Sequence, residues 1–237
     1  MDIGILGAGR VGLVLARRAQ AAGHHVLVAA SGDPRLIETD VSVAAPGARA
    51  VWAHEAASAS VVLLAVPITK ARSLPADALA GRIVVDTMNY WWETDGSRPD
   101  LADPTTSTSE TVASWLPGAK VVKALNHASV WELENLGRPA GDPERRGIAV
   151  AGDDADAVTT VCELVDSLGF DPVRAGALAE GVRFEPGTEA FGADATTEDL
   201  RDMLDRFWDS QRGRVVARAR AASAPAASAP PADPPQN

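Results

Sequence analysis

Apolar and polar positions along the chain alternate between two periodicities. Short continuous apolar runs are typical of strands buried on both faces of a parallel sheet, and they are separated by segments with apolar residues at helical spacing. The runs that predict strands are residues 3–6, 25–30, 61–66, 83–86 and 120–125, with shorter candidates at 147–151 and 171–174. Helical spacing is clearest at residues 11–22 and 154–168. This alternation predicts an α/β fold with a doubly wound, mostly parallel sheet.

The pattern also divides the chain into three parts. Residues 1–195 are predicted to form one α/β domain, and residues 196–222 one amphipathic helix with apolar residues at i, i+3, i+4, i+7 and i+8. We expect this helix to dock on its own domain, with a dimer contact as the alternative. Residues 223–237 are rich in Ala, Pro and Ser and predict a disordered tail. Residues 94–109 show no periodicity and predict a long loop, a type that often carries function.

Composition narrows the range of partners. The 237 residues carry a formal net charge of −10, which disfavours binding to nucleic acid or to an anionic membrane. No apolar run is long enough to span a bilayer, and no leader precedes the first strand, so we expect a cytoplasmic protein. Its expected partners are small molecules, and a homodimer is possible. The single cysteine, Cys162, predicts a small buried apolar side chain, and no spacing typical of a metal site is present.

The first predicted strand runs directly into a glycine motif of the form G-x-G-x-x-G. The motif comprises Gly7, Ala8, Gly9, Arg10, Val11 and Gly12. Because it follows a strand, opens a helix and precedes a second strand, it predicts a Rossmann βαβ unit that binds a dinucleotide. The first glycine permits the tight turn, the second lets the pyrophosphate approach the backbone, and the third lets helix and strand pack closely.

The end of the second strand bears on the choice between NADP and NAD. An NAD site usually places an acidic residue there, whereas this chain has Ser31 at the strand end and Arg35 shortly after it. A serine hydroxyl and a guanidinium suit a 2′-phosphate, so we favour NADP. Asp33 is the alternative, since it could bond a 2′-hydroxyl, although it also suits a helix N-cap before Pro34.

With these motifs in view, the chain resembles the family of NADP oxidoreductases that depend on the deazaflavin coenzyme F-420. The stretches that carry the resemblance, over roughly residues 1–190, are ILGAGRVG (5–12), LAVP (64–67), VVKALNH (121–127), VAGDD (150–154) and LGFDPV (168–173). The same motif set is similar to the reductase domain of membrane metalloreductases, which pass electrons from NADPH to a flavin.

The resemblance implies that NADPH lies across the carboxyl ends of the strands, with a second ring system stacked on its nicotinamide. That second ring would belong to F-420, or to FMN or FAD. The implied cofactor contacts are Ala65, Val66, Pro67, Asn89 and Asn126, of which Val66 and Pro67 border the nicotinamide half. The chain departs from archetypal members at Gly32, where they carry a basic residue, and at Asn126, where they carry a histidine.

Hydride transfer between stacked rings needs positioning more than side-chain chemistry, and no nucleophile–base pair stands out. His127 follows a strand end and could donate to a ligand, or it is a partly exposed loop residue. The aromatic run 90–92 could wall a flat ring, and residues 183–186 could close a second pocket, or belong to a surface loop. The leading prediction is therefore an NADPH-dependent oxidoreductase acting on a deazaflavin or flavin. The alternatives are a non-catalytic NADP(H) sensor and a reductase of a small carbonyl or imine.

Overall fold

The computed structural model describes residues 1–223. Within them eight strands form one sheet in the order β3-β2-β1-β4-β5-β6-β7-β8. The strands are β1 Asp2–Leu6, β2 His25–Ala29, β3 Arg49–Ala50, β4 Val61–Leu64, β5 Ile83–Asp86, β6 Lys120–Ala124, β7 Gly147–Gly152 and β8 Asp171–Gly176. All neighbouring pairs are parallel except β6 and β7. The predicted doubly wound, mostly parallel fold is confirmed.

Helices cover both faces of the sheet. They are α1 Arg10–Ala21, α2 Glu38–Ala44, α3 Ala53–Ala56, α4 Ala76–Leu79, α5 Trp92–Asp95, α6 Thr108–Trp115, α7 Val130–Asn135, α8 Ala155–Ser167, α9 Thr197–Arg206 and α10 Gln211–Ser223. Shorter 3-10 turns span Pro34–Leu36, Ile68–Ser73, Leu178–Phe184 and Phe207–Asp209. None of the helices in residues 1–223 has the length and apolar character needed to cross a membrane.

The core has one apolar layer on each face because side chains along a buried strand alternate between the two. In β4, Val61 and Leu63 pack into the layer under α1 and α8, whereas Val62 and Leu64 pack into the layer under α4 and α6. Cys162 is buried in the first of these layers, as its apolar surroundings predict.

The amino-terminal half places a crevice at one edge of the sheet. From β1 the chain moves outward to β2 and β3, then crosses back to β4 on the other side of β1. The connections after β1 and β4 therefore diverge to opposite faces, and the space between them opens at the carboxyl ends of these strands. In open α/β sheets this switch point is where ligands bind.

The carboxyl-terminal segment differs from the prediction of one continuous helix over residues 196–222. Helix α9 ends at Arg206, and α10 starts after Ser210, whose Oγ accepts a hydrogen bond from Gly213 N at 3.0 Å. This N-cap starts a new helix, and Gly213 lies so close to the preceding turn that a Cβ would be 2.0 Å from Phe207 O. The predicted tail lies outside the described residues, apart from Ser223.

The predicted loop 94–109 is also shorter than expected. Helix α5 occupies its first two positions, and α6 starts at Thr108 behind a capping box, in which Ser107 Oγ accepts from Glu110 N at 3.2 Å and Glu110 Oε2 accepts from Ser107 N at 2.6 Å. The irregular segment is residues 96–107, and it borders the site described next.

Candidate cofactor crevice and adjoining cavity

The three motif glycines meet three different spatial demands. Gly7 has φ +123°, and a Cβ there would lie 2.2 Å from Ala65 O. A Cβ on Gly12 would lie 1.8 Å from Gly7 O, so its absence lets α1 pack on the turn. A Cβ on Gly9 would meet nothing within 4 Å, because it would point into the open crevice. Gly9 therefore preserves room for a ligand, whereas Gly7 and Gly12 preserve the fold.

Helix α1 directs free backbone amides into the same space. Its N-cap is Gly9, and no side chain within residues 1–223 forms a capping hydrogen bond there. The first intrahelical bond in this turn runs from Leu13 N to Gly9 O at 2.9 Å, which leaves the amides of Arg10, Val11 and Gly12 without helical partners. These N–H groups and the positive end of the helix dipole favour an anion.

Two contiguous cavities form the crevice along the strand ends. The larger, of about 630 Å³, is the adenosine cavity, named for its position beside the end of β2, and Gly7, Ala8, Gly9, Ser31, Ala65, Val66, Pro67 and Lys70 are among its lining residues. The smaller, of about 330 Å³, is lined in part by Gly9, Arg10, Val11, Ala65, Val66, Pro67, Asn89 and Trp91. We call it the nicotinamide cavity because Val66 and Pro67 are the residues that the family resemblance implies for the nicotinamide half. The two cavities share Gly9 and the segment 65–67, so a single extended molecule can occupy both.

Of the two residues predicted for a 2′-phosphate, the structure places one in the crevice and one outside it. Ser31 is exposed and lines the adenosine cavity. Arg35 lies outside the lining, and its guanidinium is bonded to the Asp33 carboxylate. These hydrogen bonds from Arg35 lower the pKa of Asp33 to about 2. Asp33 also caps the 3-10 turn Pro34–Leu36, as its position before Pro34 predicts.

The two predicted asparagines bond to each other behind the nicotinamide cavity. Asn89 lines this cavity, and its Nδ2 donates to Asn126 O at 2.8 Å. Asn126 is buried and lies outside the cavity lining, with its Nδ2 donating to Asn89 Oδ1 at 3.1 Å and to Phe184 O at 2.9 Å. Asn126 thus holds Asn89 in place rather than facing the crevice itself.

His127 does not face the crevice, so both interpretations of it as an exposed or ligand-donating residue are wrong. Its Nε2 accepts a hydrogen bond from Ala149 N of β7 at 2.9 Å, and its ring packs edge-to-face on Phe184. Burial lowers the pKa of His127 to about 4. Strand β6 ends at Ala124, and Leu125 turns the chain with a φ of +65°, which places His127 against β7.

A further cavity of about 500 Å³ lies next to the crevice, and we call it the adjoining cavity. Trp91 lines both this cavity and the nicotinamide cavity. The walls of the adjoining cavity come from the aromatic run 90–92, the irregular segment, the loop after β8 and helix α10. The lining residues are Tyr90, Trp91, Trp92, Glu93, Leu101, Ala102, Asp103, Pro104, Thr106, Thr108, Val182, Glu185, Pro186, Gly187, Arg212, Val215 and Val216. Of residues 183–186, Glu185 and Pro186 border this cavity. Phe184 and Glu185 are buried, so the surface-loop interpretation is wrong for these two residues.

One ion pair joins helix α10 to this cavity. Glu185 is 3 % exposed, and its Oε2 accepts from Arg212 at 2.7 Å. Its Oε1 accepts from the backbone N and the Oγ1 of Thr108, at 2.8 and 2.9 Å. Because Thr108 is the first residue of α6, this carboxylate fastens α6 and α10 together.

Comparison with known proteins places this geometry in a family. A family profile described as NADP oxidoreductase, coenzyme F-420-dependent, matches residues 2–90. A hypothetical protein, SMa0349, from Sinorhizobium meliloti is 33 % identical, with 79 % of this chain and 91 % of that chain covered and a TM-score of 0.67. A candidate F-420-dependent NADP reductase from Arthrobacter sp. FB24 is 28 % identical, with 88 % and 94 % covered and a TM-score of 0.65.

Residues 2–90 of this chain belong to the F-420-dependent NADP oxidoreductase family. Metalloreductase STEAP3 of Rattus norvegicus is 33 % identical over 186 residues, which are 77 % of this chain and 35 % of the metalloreductase. The chain spans between about one third and just over one half of the curated relatives it matches. The predicted family resemblance is confirmed, and it extends over the crevice.

The motif VVKALNH, one of the stretches that carry the family resemblance, contains a buried cation, Lys123, that the sequence did not lead us to predict as part of a site. Lys123 and Asp86 are both fully buried, face each other in register on β6 and β5, and lie 3.7 Å apart from Nζ to Oδ2. Lys123 Nζ also donates to Ser109 Oγ at 3.1 Å, and Ser109 Oγ donates to Asp86 Oδ2 at 2.6 Å. Asp86 Oδ1 accepts from Met88 N at 2.9 Å. This network fixes the turn after β5, from which Asn89 reaches the nicotinamide cavity.

Proposed function

We propose that this protein is an NADPH-dependent oxidoreductase that transfers a hydride between NADP(H) and a flavin or deazaflavin ring. The observation that carries the proposal is the adjoining cavity, because Trp91 lines both this cavity and the nicotinamide cavity. A sensor that only binds the dinucleotide has no need of a second cavity beside the reactive end, whereas an enzyme needs room there for an acceptor.

The residues of the crevice fit a dinucleotide. The open space at Gly9 and the free amides of Arg10 and Val11 suit the pyrophosphate. Ser31 offers a hydroxyl at the end of β2, and the adenosine cavity has no acidic residue among the lining residues described. A site for NAD would normally place a carboxylate there to bond the 2′-hydroxyl, so this lining favours NADP.

The chemistry is that of the cofactor, since bound NADPH supplies the hydride. The protein's part is to position the reactants and to keep water from them. Val66 and Pro67 give the nicotinamide cavity an apolar wall, and Asn89, held by Asn126, offers an amide to a polar group of the ligand. Trp91 forms the boundary between the two cavities, with its indole ring packed edge-to-face on Phe191 at 5.5 Å. An indole at this position can pack against a flat acceptor.

The decisive experiment is anaerobic oxidation of NADPH with F-420, FMN and FAD as separate acceptors, followed by absorbance. We expect turnover with at least one acceptor, and a lower rate when NADH replaces NADPH. At NADPH concentrations well below saturation, Gly9→Ala should lower turnover about 100-fold with every acceptor, a loss that a contaminating reductase would not show. Tight NADPH binding without turnover on any of the three acceptors would refute the enzymatic proposal.

A further inference from the structure

The adenosine cavity contains one cationic side chain that the glycine motif and the end of β2 do not account for. Lys70 lines this cavity from the 3-10 turn Ile68–Ser73, which follows β4, and so lies across the cavity from Ser31 at the end of β2. Lys70 is exposed and forms no salt bridge with the residues described. The lining contains no carboxylate within residues 1–223, so the charge of Lys70 has no counter-ion in the cavity.

The cation that the sequence predicts for the 2′-phosphate, Arg35, is already neutralised. The Arg35 guanidinium bonds to both carboxylate oxygens of Asp33 and lies outside the cavity lining. To reach a ligand it would have to leave this bidentate partner, which offsets the gain from a new ion pair. Position 32, directly after Ser31, is a glycine and supplies no charge.

Lys70 belongs to the segment after β4 and not to the glycine motif at which the pyrophosphate would bind. Lys70 lines the adenosine cavity together with Ser73, Leu74 and Pro75, but it does not line the nicotinamide cavity. The pyrophosphate has its own donors in the amides at the start of α1. The flexible four-carbon stem of a lysine lets its ammonium group reach into such a cavity.

We infer that Lys70 is the cation that binds the 2′-phosphate of NADP, acting across the adenosine cavity from the Ser31 hydroxyl. The inference rests on the proposed function, because it assigns the residue that makes that site selective for NADP over NAD. The β4 side of the cavity then supplies the positive charge that the β2 side lacks.

The test is isothermal titration of the full chain with NADPH and with NADH, for the wild type and for Lys70→Met. We expect Lys70→Met to weaken NADPH binding about tenfold, as the loss of one charged hydrogen bond implies, and to leave NADH binding unchanged. Lys70→Arg should restore most of the NADPH affinity. The fragment 2′,5′-ADP, which carries the same 2′-phosphate, should bind the Met variant less tightly than the wild type.

Arg72→Met is the matched control, because Arg72 lies in the same 3-10 turn but bonds Asp100 at 3.1 Å and stacks on Trp115. It should leave both affinities unchanged, and Arg35→Ala should change NADPH binding less than twofold. An unaltered NADPH affinity in Lys70→Met, or an equal loss for both dinucleotides, would overturn the inference while the proposed function stands. A wild type that binds neither dinucleotide would overturn the proposed function itself.

Discussion

Replacing Gly9 with alanine should separate cofactor binding from folding. Gly9 has φ −82° and ψ −172°, a conformation open to any residue, and a Cβ there meets nothing within 4 Å. Alanine is a poorer N-cap than glycine by some tenths of a kcal/mol, but it also restricts the unfolded chain, which stabilises by about 0.4–1 kcal/mol. The free energy of unfolding should therefore change by less than about 1 kcal/mol.

The same methyl group occupies the space through which a pyrophosphate reaches the amides of α1. Losing two charged hydrogen bonds of about 1.5 kcal/mol each raises the dissociation constant for NADPH about 100-fold. Urea denaturation measures the first quantity and isothermal titration the second. A Gly9→Ala protein that binds NADPH as tightly as the wild type would show that the phosphates do not approach the backbone here.

Gly12→Ala is the contrasting variant in the same motif. Its Cβ would lie 1.8 Å from Gly7 O, so α1 must move away from the turn. We expect a loss of about 2 kcal/mol or more in the free energy of unfolding, as for other overpacked sites. If Gly9→Ala and Gly12→Ala destabilised the fold equally, the distinct roles assigned to the two glycines would be wrong.

Three further predictions address the buried polar groups. Lys123→Met should cost about 3–5 kcal/mol in urea denaturation, because it leaves the fully buried Asp86 without its cation; the added change Asp86→Asn should recover part of that loss. The pKa of His127 is lowered by burial to about 4, so stability should fall as the pH drops from about 7.5 towards 4, with a loss of about 2 kcal/mol by pH 5. His127→Gln should flatten this slope. Arg212→Met leaves Glu185 with Thr108 as its remaining partner and should lower the free energy of unfolding by about 2 kcal/mol. Turnover with the acceptor should fall while the NADPH dissociation constant stays unchanged. An equal loss of NADPH affinity would contradict the separation of the two cavities.

The dinucleotide motif could be predicted from the sequence because its determinants are local. Gly7, Gly9 and Gly12 lie within six positions, and the strand before them and the helix after them carry their own periodicities. The location of Ser31 at the end of β2 could also be predicted, since β2 ends within one residue of the expected position. Features of this kind depend on the backbone geometry of a few consecutive residues, so the local sequence pattern is enough to predict them.

The buried Lys123–Asp86 pair could not be predicted in the same way. Lys123 is the one polar residue between Val121 and Leu125 in a strand pattern, and its partner lies 37 positions earlier, on another strand. Only the register of β5 on β6, which places Asp86 opposite Lys123, brings the two charges together. The sequence does carry a signal for the break between α9 and α10, because Ser210 before a helical run is a recognisable N-cap. The apolar periodicity of residues 200–208, however, predicts one continuous helix.

The two cavities draw on different parts of the chain, and this division has a functional consequence. The crevice is built from the ends of β1, β2, β4 and β5, with the phosphate-binding geometry set by the glycine motif. The adjoining cavity is built from segments after β5 and β8 and from α10, held together by Glu185. Within residues 1–223, Trp91 is the one lining residue that the adjoining and nicotinamide cavities have in common. On the proposed function, substitutions in α10 should therefore alter which acceptor fits without disturbing the dinucleotide. Acceptor choice should accordingly depend on the carboxyl-terminal helices, and cofactor choice on the loops after β2 and β4.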